Sequence, residues 1–124
     1  MSLKALVVED SPTMRQLISF ALRSIPDLDI VEAADGLDGL KKIQSDSFDI
    51  ILVDINMPLM DGLKLISIIR QNENNPDIPV VIISTESGMD VKEKADAMGV
   101  NAYITKPIMA GNVLKTVKSL LDLG

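Results

Sequence analysis

The chain has 124 residues, with 18 acidic against 12 basic side chains, a net charge of −6, and neither Cys nor His. Those absences exclude thiolate and imidazole nucleophiles, a Ser-His-Asp triad, an ordinary zinc site and an Fe–S cluster. The length and the 47% apolar composition indicate one domain whose core needs no disulfide or metal staple. The arginines are Arg15, Arg23 and Arg70, and the longest basic run is Lys41-Lys42, so the basic stripe of a nucleic-acid binder is missing. No apolar stretch approaches the roughly 20 residues of a membrane span, and the opening residues do not read as a signal peptide. A cytoplasmic protein, engaging neither nucleic acid nor membrane, is expected.

Two kinds of segment alternate along the chain. Ala5-Leu6-Val7-Val8 opens as an unbroken apolar run, which reads as a strand buried on both faces. Ser11-Pro12 then suits an N-cap followed by the first helical position. Met14, Leu17, Ile18, Ala21, Leu22 and Ile25 continue at helical spacing. Ile30-Val31 is a weaker strand. Leu37, Leu40 and Ile43 mark a second helix opening near Asp35-Gly36. Ile50-Ile51-Leu52-Val53 is the third strand, and Leu65, Ile66 and Ile69 mark a third helix after Gly62, a turn or helix-start residue. Val80-Val81-Ile82-Ile83 is the fourth strand. Val91, Ala95 and Met98 then mark a fourth helix with the thinnest apolar stripe, and Gly99 stands where a left-handed stop is expected. Ala102-Tyr103-Ile104 and a helix carrying Val113, Leu114, Val117, Leu120 and Leu121 complete five βα units. Such alternation predicts an α/β fold, an open, doubly wound parallel sheet with helices on both faces. The fourth helix is the element expected to move most easily.

The residues just beyond the apolar runs carry the chemistry. The first run ends in Glu9-Asp10, the third in Asp54, the fourth in Ser84-Thr85 and the fifth in Lys106-Pro107. A parallel sheet brings all strand C-termini to one edge, where ligands bind. Taken singly, each of these residues is as well explained by a loop acid, a cap or a solvated lysine; together they form a complementary set. Three close carboxylates repel, and the remedy is a shared proton or a bound cation. Oxygen ligands suit a hard cation, Mg²⁺ or Mn²⁺. In that setting Lys106 reads as a partner for phosphoryl oxygens and Ser84 as a hydrogen-bond donor to them, and an aspartate can accept a phosphoryl group.

The motifs Val7-Val8-Glu9-Asp10, Val53-Asp54-Ile55-Asn56-Met57-Pro58 with Met60-Asp61-Gly62, Ile83-Ser84-Thr85-Glu86 and Tyr103-Ile104-Thr105-Lys106-Pro107 closely resemble those of bacterial response-regulator receiver domains. The stretch Ser11-Pro12-Thr13-Met14-Arg15 is most similar to the single-domain chemotaxis members. The resemblance covers residues 1–124 and implies a flavodoxin-like, five-stranded sheet of order 2-1-3-4-5 with five helices. It implies phosphorylation of Asp54 by a sensor histidine kinase, which must supply the phosphohistidine. Asp10 and Asp54 would bind Mg²⁺ through carboxylates, Asn56 through its carbonyl and Glu9 through water. Ser84, Thr85 and Lys106 would contact the phosphoryl group. Ser84 and Tyr103 would form the switch, and Asn56 and Glu86 would tune dephosphorylation. The fourth helix, fifth strand and fifth helix would meet an output partner, such as a flagellar motor switch protein or a second copy, and a phosphatase could act on the product. The Lys106–Pro107 peptide would be cis. Ile108 departs from the Phe common in the family.

The resemblance thus implies a signalling phosphoacceptor and not an enzyme. A receiver cut from a larger regulator is the nearest alternative. A Mg²⁺-dependent aspartyl-phosphate phosphatase needs a second Asp where Asn56 stands. A flavin carrier would have only Phe20, Phe48 and Tyr103 for stacking, without a Ser/Thr-rich phosphate loop. A phosphorylation-independent binding module would have no use for the acidic set.

Overall fold

The computed structural model describes residues 2–57, 60–72, 76–85 and 89–123. Along these residues run β1 (Leu3–Val8), α1 (Pro12–Leu22), β2 (Leu28–Ala33), α2 (Gly36–Ser45), β3 (Ile50–Asp54), α3 (Gly62–Arg70), β4 (Val80–Ser84), α4 (Met89–Ala97), β5 (Ala102–Thr105) and α5 (Ala110–Leu120). The strands form one parallel sheet in the order β2-β1-β3-β4-β5. The expected architecture and strand order are both present.

Alternation along the central strands divides the core in two. Leu6 and Val8 of β1 pack with Ile51 and Val53 of β3, under Leu65, Ile66 and Ile69 of α3 and Ala95 of α4. Ala5 and Val7 face the other way, with Ile50, Leu52, Val81 and Ile83, against Ile18 and Leu22 of α1 and Val113 and Val117 of α5. Strands covered on both faces are apolar along their length: β3 and β4 are buried throughout, and only their last residues, Asp54 and Ser84, are polar. The edge strands β2 and β5 are only partly buried.

The helix boundaries have local causes. The Ser11 hydroxyl accepts from the Met14 N–H at 3.3 Å, with Pro12 opening α1. Asp35 caps α2 through the Asp38 N–H, and Asp61 caps α3 through the Lys64 N–H, both at 2.8 Å. Gly99 takes φ +71°, and the Val100 N–H beyond it reaches back to the Ala95 carbonyl, closing α4 as expected. The Lys106–Pro107 peptide is cis.

Two details of the stripes differ from the sequence reading. Leu37 is 45% exposed. The inward face of α2 is instead formed by Gly36 and Gly39, which are buried, with Leu40 and Ile43 packed beside them. Leu37 lies about 110° around the helix from the centre of that set. Ile25 is buried, but α1 ends at Leu22. Pro26 disfavours helical backbone at the residue before it, so Ile25 enters the core from a turn.

Candidate functional site

The order of the strands brings the chemistry to one edge. Between β1 and β3 the winding reverses, which opens a crevice beyond their C-terminal ends. Glu9 and Asp10 follow β1, and Asp54 ends β3. One carboxylate oxygen from each of these three residues lies within 4.8 Å of the others. Glu9 and Asp54 are buried, whereas Asp10 is exposed. Asp54 is in register with Ile83, and Ser84 with Thr105, so Ser84 at the end of β4 and Lys106 just after β5 come to the same edge as the acids. Ser84 is fully buried.

The lysine is drawn into the acid cluster. Lys106 Nζ donates to Asp54 Oδ2 at 3.1 Å and stands 3.2 Å from Glu9 Oε1. The second Asp54 oxygen, Oδ1, accepts from the Asn56 N–H at 3.1 Å. Glu9 Oε2 accepts from the Ser11 N–H at 3.2 Å. Glu9 Oε1 is buried, with the Lys106 ammonium within ion-pair reach and no hydrogen-bond partner among the described residues.

Burial pushes the Glu9 carboxyl up to about 7, with the neighbouring Asp54 and Asp10 carboxyls adding to it and the Ser11 N–H opposing. Burial by itself lowers the Lys106 ammonium. The hydrogen bond to Asp54 and the negative charges of Glu9 and Asp54 outweigh it and leave the group above the ordinary lysine value. One ammonium therefore serves two buried carboxylates, and the pocket remains short of positive charge. Its donors are all oxygen, and one buried oxygen has no hydrogen-bond partner among the described residues. Such a set fits a hard divalent cation.

A profile describing the response regulator receiver domain matches residues 5–118. The chain belongs to the response regulator receiver family. It is 32% identical over 120 residues to the chemotaxis protein CheY of Pseudomonas aeruginosa, covering 97% of both chains. It is 36% identical over 121 residues to CheY-3 of Vibrio cholerae, covering 98% of this chain and 90% of that one. The crystal structure of the Vibrio cholerae chemotaxis protein CheY4 superposes with a TM-score of 0.89 at 31% identity, over 97% of this chain and 99% of that one.

The remaining site candidates of this receiver domain occupy varied positions. Asn56 is exposed just beyond Asp54, and Thr85 is exposed just beyond Ser84. Tyr103 is half-buried against the apolar layer under α3 and α4. Glu86 and Pro58 lie outside the described residues. Ile108, where the family commonly has Phe, is buried in the layer under α1 and α5.

Two supports of the site are invisible in the residue pattern. Gly62, expected at a turn or helix start, does begin α3. A Cβ there would also stand 2.5 Å from the Asp54 carbonyl oxygen and 2.8 Å from Ile55 Cα. Only glycine lets α3 start against the acceptor segment. Arg15 lies in the chemotaxis-like stretch, which by itself gives it no role. Its Nη1 donates to the Glu9 carbonyl at 2.8 Å, and its Nε pairs with Glu32 at 2.9 Å.

Proposed function

We propose that this receiver domain is a phosphoryl-accepting switch in which Asp54 takes the phosphoryl group from a phosphohistidine of a sensor histidine kinase. The observation that carries this reading is the convergence of Glu9, Asp10 and Asp54 within 4.8 Å, with Lys106 Nζ 3.1 Å from Asp54. In the step, an Asp54 carboxylate oxygen attacks phosphorus, the P–N bond of phosphohistidine breaks, and its electron pair returns to the imidazole. Asp10 and Asp54 would hold Mg²⁺ through their carboxylates, Asn56 through its carbonyl and Glu9 through water, with Mn²⁺ as a substitute. The metal, when bound, supplies positive charge against the phosphoryl oxygens. Lys106 pairs with one of those oxygens, and Ser84 and Thr85 donate hydrogen bonds to the group. In the separate hydrolytic step, water attacks phosphorus, the bond to Asp54 breaks, and the carboxylate is regenerated as inorganic phosphate leaves. Asn56 and Glu86 would govern the approach of that water.

The signal leaves the site through Ser84. An added phosphoryl group brings up to two negative charges and three acceptor oxygens. Ser84 and Lys106 are drawn toward it, Tyr103 turns inward, and α4, β5 and α5 present an altered face. The ligand biases an existing equilibrium, because it contacts the two states differently. The likeness to chemotaxis proteins supports a chemotaxis output in the cytoplasm, such as a flagellar motor switch protein or a second copy of the chain. A partner phosphatase would reset it, and turnover of other substrates forms no part of this role.

The test is labelling with a small phosphodonor such as acetyl phosphate in Mg²⁺. The wild-type chain should label and Asp54→Asn should not; full labelling of Asp54→Asn would move the acceptor elsewhere. Lys106→Ala should label yet fail to switch. Amide exchange with and without beryllofluoride reads the switch itself. Changes confined to α1 and α2, with the Tyr103 region silent, would overturn the output mechanism alone.

A further inference from the structure

We propose that Arg15 is a positioning residue for the acidic pocket: it clamps the peptide that joins Glu9 to Asp10 and thereby sets the affinity for the divalent cation. The inference rests on the metal-binding reading of that pocket. Asp10 is exposed, so packing does not fix its direction. Its placement depends on the backbone of the short turn between β1 and α1. That backbone is held from two sides. The Glu9 N–H donates to the Ala33 carbonyl of β2 at 3.1 Å. The Glu9 carbonyl, half of the Glu9–Asp10 peptide unit, accepts from Arg15 Nη1 at 2.8 Å.

The guanidinium is itself anchored. Arg15 Nε meets Glu32 Oε1 on β2 at 2.9 Å, and the Arg15 N–H donates to the Ser11 carbonyl at 2.9 Å. A planar fork can hold two acceptors in fixed geometry; an ammonium acts as a single point charge. Three carboxylates this close repel each other. A turn without its clamp relaxes by swinging Asp10 away, and cation binding must then reverse that movement. Groups behind the ligands typically alter metal affinity by about 10- to 100-fold when lost.

The sign of the effect separates the clamp from a plain charge. A cationic side chain near a cation site opposes binding, so deleting Arg15 as a charge would tighten Mg²⁺ binding. Deleting it as a clamp loosens binding. Titration of the metal-free protein with MgCl₂ at constant ionic strength, followed by calorimetry and by the melting midpoint, reads the difference. Arg15→Met should raise the Mg²⁺ Kd about tenfold. Arg15→Lys keeps the charge without the fork and should weaken binding too. Glu32→Gln keeps an acceptor oxygen for Nε and should leave the Kd within about twofold of wild type. If Arg15→Met does not fold, Arg15→Lys carries the same comparison. An unchanged or tighter Kd in the folded Arg15 variants, with wild type binding Mg²⁺, overturns the clamp alone. Failure of wild type to bind Mg²⁺ overturns the metal-site reading and the clamp together.

Discussion

Lys106 Nζ and Asp54 Oδ2 meet at 3.1 Å across 52 residues of chain, and the same ammonium stands 3.2 Å from the buried Glu9. The lysine therefore acts as the resident counterion of the pocket. Lys106→Met should destabilise the metal-free protein by about 2 kcal/mol. That is below the 3–5 kcal/mol for breaking a fully buried pair, because Lys106 keeps some exposure. Millimolar Mg²⁺ should restore most of the loss. Denaturant midpoints with EDTA and with Mg²⁺ check this; equal sensitivity of wild type and variant to Mg²⁺ would refute the counterion role.

Glu9 makes the metal-free protein sensitive to pH. Its carboxyl is raised from an ordinary 4.5 to about 7, burial being the main cause. Between those values the folded state binds more protons than the unfolded one. Stability from this group is fully present below pH about 4.5 and is lost as pH rises through about 7. Denaturation in EDTA should show wild-type stability falling across that window, with a flatter profile for Glu9→Gln. A wild-type profile as flat as that of Glu9→Gln would contradict the assignment.

Arg70, the last residue of α3, spends its guanidinium entirely on backbone. Nε donates to the Met98 carbonyl at 2.8 Å and Nη2 to the Gly99 carbonyl at 2.9 Å, while Nη1 reaches the carbonyls of Pro76 and Ile78 at 2.9 and 2.6 Å. These bonds pin the C-terminal end of α4 to α3. Arg70→Ala should cost about 3 kcal/mol, given four bonds from a charged donor, part of whose solvation is regained. Amide protection should fall at Gly99 to Asn101 before it falls at the central strands. A loss under about 0.5 kcal/mol, typical of a surface change, would show that the α4 end is held by other means.

Ser19 is buried in α1, and among the described residues its hydroxyl has no hydrogen-bond partner. Removing an unpaired buried hydroxyl relieves a desolvation penalty, and alanine is the better helix former. Ser19→Ala should stabilise the fold by about 1 kcal/mol without altering phosphodonor labelling. Urea titration measures it; a loss of stability would mean that the hydroxyl has a partner in solution.

The sequence by itself determined the parallel five-stranded fold, because period and burial leave a direct imprint on residue type. Strands covered on both sides are apolar along their length, as Ile50 to Val53 are. Helices covered on one side repeat about every 3.6 residues. With the sheet parallel, the shared edge for Glu9, Asp54, Ser84 and Lys106 is a consequence of topology alone. The α2 stripe failed at Leu37, since Gly36 and Gly39 carry no apolar signal although they face inward. Tertiary structure decided which long side chain reaches which backbone group. The Arg15 bond to the Glu9 carbonyl, the Arg70 bonds to Met98 and Gly99, and the closeness of Gly62 to the Asp54 carbonyl leave no local pattern. Each depends on how a helix sits on the sheet, and that geometry arises only when distant segments pack.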